Sequence, residues 1–595
     1  MKGGTLKIHT ENILPIIKKW LYSDKDIFVR ELVSNASDAL SKIKMIGGDG
    51  PFQIDLTLNK ENRTLTIQDT GIGMTAEEVE KYIAQVAFSG AEEFLGKYTN
   101  QNENEQIIGH FGLGFYSAYM VAEKVEIDTL SHLENSEPVF WGCDGSINYI
   151  LGRGKQETRG TSITLFIDKD NEEYLEEDRL SQILQRYCAF LPFPIKLNGK
   201  LINEKEPLFV KSASQCSDEE YIKFYRELYP LEPDPIFWIH LSVDYPFHLK
   251  GILYFPKIQK KLDWTHNNIK LFCNRVFVSD NCKDLLPEYL TCLRGTLDSP
   301  DIPLNVSRSY LQMDRTVRQL STHISKKIAD RLLALYQTEK NKFFASWEEI
   351  EMVIKLGLLQ DEKFYERSKE FLSWKTTQGE WTTLEEYRAQ HGNKVFYTTE
   401  GHNTQCLELY KAQGIEVLIA NSHIDNALMN YLEDKERPLK FQRVDGAIEN
   451  TLLDPKREKT LLDAEGKTEA AQIADFIRRA LSSDKVQVEA KSLASDTVPA
   501  LIVRDEELRR LRDYMTLTGQ PLPPNIADKH TFVVNTNSKL IALIYKLREK
   551  DSALAQEMAE HVYDLSLLSH KELSADALPK FVERAGTLIE RLLEK

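Results

Sequence analysis

Glu31, Asn35, Asp38 and Lys42 follow one another at helical spacing inside the stretch Ile27–Ile43. At about 100° per residue they fall within about 60° of one another on the wheel. Leu32, Val33, Ala36, Ala39, Leu40 and Ile43 take the opposite side. An ordinary amphipathic helix carries the same two stripes. The residue types are what differ. A solvated face is usually Lys, Glu and Arg at tolerant positions. Here one stripe offers a base, an amide oxygen able to hold a metal ion, and a second carboxylate. Taken by itself, the stripe fits a solvated face equally well.

Two later stretches weigh against that bland reading. Thr64–Gln68 alternates like a strand with one buried face and ends at Asp69, followed by Thr70-Gly71-Ile72-Gly73-Met74. A carboxylate at a strand end, beside glycines that let a ligand approach the backbone, suits an exocyclic amine. A plain Asp-x-Gly turn is the alternative. Gly109-His110-Phe111-Gly112-Leu113-Gly114-Phe115 then runs into Tyr116–Val121, which the pattern predicts as a helix. A glycine-rich turn opening a helix exposes backbone N–H groups, a phosphate cradle. Its order, Gly-x-x-Gly-x-Gly, is the reverse of the dinucleotide-fold fingerprint. Gly90 to Gly96-Lys97-Tyr98 lacks the spacing and the Ser or Thr of a P-loop.

These residues need elements to hold them. Phe52–Leu58 and Thr64–Gln68 read as strand–turn–strand, Thr75–Phe88 as a helix, and Ala91–Gln106 as a polar, mobile segment. Val125–Leu130, Ile147–Leu151 and Thr161–Ile167 read as strands, and Leu180–Phe190 as a helix. Beyond a polar boundary near residue 205, strands are expected at Ile239–Val243, Lys250–Phe255 and Ile269–Val278. Helices are expected at Leu285–Arg294 and Thr316–Gln337. Residues 206–455 thus form an α/β domain. In residues 456–595 the pattern predicts a charged helix, Glu506–Leu517. Its Leu508, Leu511, Tyr514 and Met515 suit core packing first. The last helix carries Leu578, Phe581, Val582, Ala585, Leu588, Ile589 and Leu592 at spacings of three and four. It caps its own core or pairs with a second copy.

Composition bounds the function. A chain of 595 residues is expected to hold about three to five domains. A net charge of −16 disfavours general binding to nucleic acid or anionic membrane. Seven scattered cysteines form no Cys-x-x-Cys pair, which suits a reducing cytosol rather than a disulfide framework or a zinc site. No apolar run approaches a membrane span, and no secretory, lipidation or retention signal is present.

The ordered trio Glu31-x-x-x-Asn35-x-x-Asp38, Asp69-x-Gly71-x-Gly73 and Gly109-x-x-Gly112-x-Gly114 resembles the Bergerat-type (GHKL) ATPase fold. Gyrase B, histidine kinases, MutL-type repair proteins and the heat-shock protein 90 chaperones share it. The strings Arg30–Leu40 and Ile108–Ser117 resemble the heat-shock protein 90 family specifically, and the likeness continues through Asn268–Leu271, Arg275–Val278 and Pro303–Arg308. The short boundary near residue 200 is similar to the bacterial, HtpG-type branch.

The resemblance implies a two-layer α/β ATP-binding domain over 1–205 with a lid at about 90–110. It also implies an α/β middle domain, 206–455, with a catalytic loop, and an α+β dimerisation domain, 456–595. By resemblance Glu31 orients the attacking water and Asn35 holds Mg²⁺. Asp69 accepts from adenine with Thr161 supporting, and Asp38, Gly73 and Met74 border the nucleotide. Gly109, Gly112, Gly114 and Phe115 cradle phosphates, and Arg308, on a loop with Asn305 and Gln312, reaches the γ-phosphate. The function implied is an ATP-driven homodimeric chaperone of the cytosol, acting on unfolded clients with co-chaperones. A holdase with little turnover and another Bergerat-fold ATPase are the alternatives. Three positions depart from the family pattern: Phe88 stands where a Lys is common, Tyr82 where an Asn is usual, and His110 where a Gln is usual.

Overall fold

The computed structural model describes residues 24–593 except 87, 91–93, 95–107, 110–111, 147, 205, 258–267, 281, 283–284, 303–314, 400–403, 455, 457–466, 484–485, 518–519, 521–528 and 571. The expected elements Thr5–Thr10 and Ile13–Tyr22, most of the expected lid, and Asn305, Arg308 and Gln312 lie outside the described residues. Two compact units divide the chain, 1–331 and 332–595.

In the first unit, helix α1 (Ile27–Met45) precedes strands β1 (Ile54–Asn59) and β2 (Thr64–Asp69) and helix α2 (Ala76–Tyr82). Then come β3 (Ala122–Leu130), β4 (Val139–Cys143), β5 (Tyr149–Arg153), β6 (Gly160–Ile167), α3 (Glu177–Cys188), β7 (Ile195–Leu197) and β8 (Lys200–Leu201). The strands make one sheet in the order β5-β4-β3-β6-β2-β1-β7-β8. Alternation explains its buried face: Ile54 and Leu56 of β1 and Leu65 and Ile67 of β2 point inward. Against them pack Leu32, Val33, Ala36 and Leu40 of α1 and Leu180, Ile183 and Leu184 of α3. Each fully buried leucine there contributes about 1.5–3 kcal/mol. This is the expected two-layer α/β sandwich. α2 is shorter than the pattern predicts, ending at Tyr82. A capping box starts it, Thr75 Oγ1 accepting from Glu78 N and Glu78 Oε2 from Thr75 N.

The same unit holds a second sheet, β12-β11-β13-β10-β9. Its strands are β9 (Phe237–Val243), β10 (Leu249–Phe255), β11 (Asn268–Cys273), β12 (Val276–Ser279) and β13 (Arg294–Asp298). Two expectations are corrected here. The stretch Ile269–Val278 is not one strand; Asn274 and Arg275 take φ of 49° and 65° and fold it into an antiparallel hairpin. Asn274 favours that conformation and Arg275 does not, so the turn signal rests on Asn274 alone. Leu285–Arg294 is not an α-helix. Pro287 restricts the residue before it, only a 3₁₀ turn at Glu288–Leu290 forms, and Arg294 already begins β13.

Helix α4 (Arg315–Thr338) contains the division between the units. In the second unit a five-stranded sheet, β15-β14-β17-β16-β18, comprises β14 (Ser373–Thr376), β15 (Trp381–Thr383), β16 (Lys394–Thr398), β17 (Leu418–Ile419) and β18 (Lys440–Arg443). A three-stranded sheet, β19-β21-β20, follows from Val486–Lys491, Ala500–Val503 and His530–Asn535. Helix α5 (Glu506–Leu517) is tied down by ions: Arg510 donates to Glu433 Oε1 at 3.1 Å and to the Phe441 carbonyl at 2.8 Å. Leu508 and Leu511 are exposed, so the core-packing expectation fails for these two. Helices α6 (Lys539–Leu547), α7 (Ser552–Ser569) and α8 (Leu578–Leu593) close the chain.

Candidate functional site

A cavity of about 320 Å³ opens beside the polar stripe of α1. Glu31, Asn35, Asp38 and Lys42 border it from the helix, and Asp69, Gly73, Met74, Gly109, Gly112, Gly114, Phe115 and Thr161 from the sheet and loops. Every residue of the first 205 to which the resemblance gives a catalytic or nucleotide-binding role therefore borders one space. Its size suits a small-molecule site.

At one end, sheet register does the positioning. β2 and β6 run antiparallel with Asp69 opposite Thr161. Asp69 is 5% exposed, and its Oδ1 accepts from Gly71 N at 2.7 Å. Burial pushes this carboxyl up to about 7, against the pull of the Gly71 and Thr161 amides and the Arg159 charge. Thr129 Oγ1 donates to the Gly160 carbonyl at 3.0 Å and accepts from Met74 N at 3.1 Å. Its one hydroxyl hydrogen is thereby used, so in the 2.9 Å contact between the two threonines Thr161 donates. An acceptor lone pair of Thr161 remains on an atom beside Asp69. Gly73, at φ 67°, is required: a Cβ there would lie 1.9 Å from the Leu130 carbonyl oxygen.

At the other end, Glu31 is buried, and its Oε1 accepts from Arg30 Nη2 at 2.7 Å and Nε at 3.1 Å. That charge-assisted pairing keeps the carboxylate oriented. Gly114 approaches the other oxygen so closely that a Cβ would lie 2.6 Å from Glu31 Oε2. Asp38 turns both oxygens to the glycine segment, accepting from Ile108 N at 2.8 Å and Gly109 N at 2.7 Å. Its carboxylate anchors that backbone. The residues after it form the expected helix as a 3₁₀ helix, Gly114–Met120. Lys42 brings a cation to the cavity; burial pushes its ammonium below the usual lysine range, against Asp38 and Glu78.

Spacing left several of these groups unassigned. Arg30, adjacent to Glu31, lies off the stripe, and only its contact reveals it. Lys42 was on the stripe without a role. Glu78 and His132 also border the cavity, and His132 had no signal because the chain fold alone brings it there. Among the described residues no three His, Cys, Asp or Glu cluster to hold a metal. Asn35 and the cavity's oxygens fit Mg²⁺, which keeps waters and takes few protein ligands beside phosphate oxygens.

Sequence comparison gives this geometry its relatives. The family described as "Hsp90 protein" matches residues 197–595. The family described as "Histidine kinase-, DNA gyrase B-, and HSP90-like ATPase" matches residues 25–171, the stretch holding most of the cavity. "Chaperone protein htpG" of Bacteroides fragilis strain YCH46 is 41% identical over 591 residues, covering 93% of this chain and 86% of the relative. Its counterpart in Bacteroides thetaiotaomicron is 40% identical, covering 96% and 88%. In Buchnera aphidicola the identity is 30%, covering 98% and 97%.

Proposed function

The chain belongs to the Hsp90 family and is an ATP-dependent molecular chaperone of the bacterial HtpG type, and on that premise we propose that the cavity beside α1 hydrolyses Mg²⁺-bound ATP to drive a dimeric clamp on unfolded clients. The convergence of Glu31, Asn35, Asp69, Thr161 and the glycine segment on one space supports this reading. Ionised Asp69 accepts from the adenine amino group, and the Thr161 lone pair holds a bridging water. Gly109, Gly112, Gly114 and Phe115 lie along the phosphates, with Lys42 adding a cation. Asn35 would supply the protein oxygen to Mg²⁺, which when bound would neutralise developing charge on the phosphates. Glu31, held by Arg30, takes the orientation of a base toward the attacking water. By resemblance Arg308, outside the described residues, would add charge at the γ-phosphate, so turnover would depend on a conformational step.

Three functional parts, 1–205, 206–455 and 456–595, belong to this reading, as do a homodimer through α8 and clients against the exposed Leu508 and Leu511 of α5. Free cysteines throughout suit a cytosolic setting. Among the described residues no helix is long and apolar enough to cross a membrane. The test is Mg²⁺-dependent phosphate release by the full chain, with and without an unfolded client. Glu31→Ala is expected to lower turnover by roughly 100-fold or more while ATP still binds. Turnover independent of Glu31 would remove its assignment, and ATP binding with no turnover in the native chain would favour the holdase.

A further inference from the structure

The two departures that border the cavity, Tyr82 and Phe88, are not independent substitutions. Their rings stack, with centroids 6.1 Å apart and planes 15° from parallel. The backbone at Phe88 lies close against the glycine segment, and Gly90 lies close against the Tyr82 ring. A Cβ on Gly112 would lie 2.4 Å from the Phe88 carbonyl oxygen, and one on Gly90 would lie 2.7 Å from Tyr82 Cε1. Lys81 Nζ sits 5.2 Å and 5.6 Å from the two ring centroids, so a cation is held over the pair. Phe88 is nonetheless 39% exposed. A ring kept for core packing would be covered; this one presents area to the cavity and its mouth.

A lysine at position 88 would meet phosphate with charge. A phenylalanine backed by a tyrosine offers a flat apolar surface instead, and what such a surface recognises is another planar ring. With adenine assigned to Asp69, the ring it meets must be carried elsewhere on the same ligand. We propose that Tyr82 and Phe88 form a stacking subsite for a second planar ring on an adenine nucleotide, attached to its ribose or beyond its terminal phosphate. The subsite rests on the reading of the cavity as a nucleotide site.

Two probes separate the attachment points: ATP bearing an anthraniloyl ring on the ribose, and diadenosine tetraphosphate. Each is titrated against the full chain beside ATP, and the readout is the ratio of dissociation constants, ATP over probe. The native chain is expected to bind at least one probe about tenfold more tightly than ATP. Phe88→Leu, which keeps apolar bulk without a ring, should bring that ratio close to one. Phe88→Lys should do the same while tightening ATP itself. Ratios near one for both probes in the native chain, or a ratio unchanged in Phe88→Leu, overturn the subsite while leaving the nucleotide site standing. Failure of ATP itself to bind overturns both.

Discussion

Two helices of this molecule are amphipathic by the same rule and end in opposite situations. α1 turns a polar stripe into a buried cavity, with Glu31 and Asp38 almost wholly covered. α8 keeps part of its apolar stripe in solvent, with Val582 59% and Ile589 57% exposed. Two of its residues are partnered within the chain: Phe581 stacks on His561 at 4.7 Å, and Arg584 pairs with Asp564 at 2.9 Å. A stripe buried against its nature calls for a ligand that replaces water. A stripe exposed against its nature calls for another protein surface. Periodicity identifies both helices and distinguishes neither case.

The comparison can be broken from either side. The largest effect is expected at α8. Replacing Val582 and Ile589 together by Glu should weaken self-association by roughly 1,000-fold, since each buried unpaired charge costs several kcal/mol. Sedimentation at micromolar concentration should then show monomers that melt close to the native temperature. An undisturbed dimer would move the interface elsewhere.

At α1, Gly114→Ala sharpens the role of the covered carboxylate. The added methyl would meet Glu31 Oε2, so either the carboxylate or the glycine segment must shift. Turnover should fall by roughly 10- to 100-fold, because a base misplaced by about 1 Å loses that much. ATP affinity should change much less. Equal losses in both would mean that Gly114 serves binding rather than the base.

A smaller effect follows from Asp69. Its carboxyl is pushed from an ordinary 3.8 to about 7 by burial. Between these values the unfolded chain releases a proton that the folded chain keeps. Asp69 therefore costs increasing stability as pH rises toward 7, and a constant amount above it. Binding runs the other way, because the ionised carboxylate is the better acceptor. ATP affinity should drop about tenfold from pH 8 to pH 6, with proton release on binding near pH 6.5. Calorimetry in buffers of different ionisation enthalpy measures both, and a pH-independent affinity would remove Asp69 from the contact.

Much of the site was legible because its members are local signals: a stripe on one helix, a strand end, a glycine segment. Alternation made strands β1, β2 and β6 legible, and the ATPase sandwich they belong to followed from the family resemblance. What joined Asp69 to Thr161 was strand pairing, which alternation leaves open. Arg30 stayed hidden because neighbours in a helix point apart, yet it orients Glu31. The break after Cys273 was weakly marked because, of its two left-handed residues, only Asn274 is of a type that favours that conformation. The aromatic pair was visible as two separate departures, and only the fold turned them into one surface.

Titration of Mg²⁺-ATP into the full chain and into Asp69→Asn, by calorimetry at pH 8, tests most directly whether these groups enclose one adenine nucleotide. The native chain should bind one ATP per protomer, and Asp69→Asn, with an acceptor replaced by an amide that also donates, should lose roughly 30- to 100-fold or more. Equal affinity in the two proteins, with both folded, would contradict the nucleotide assignment of the cavity.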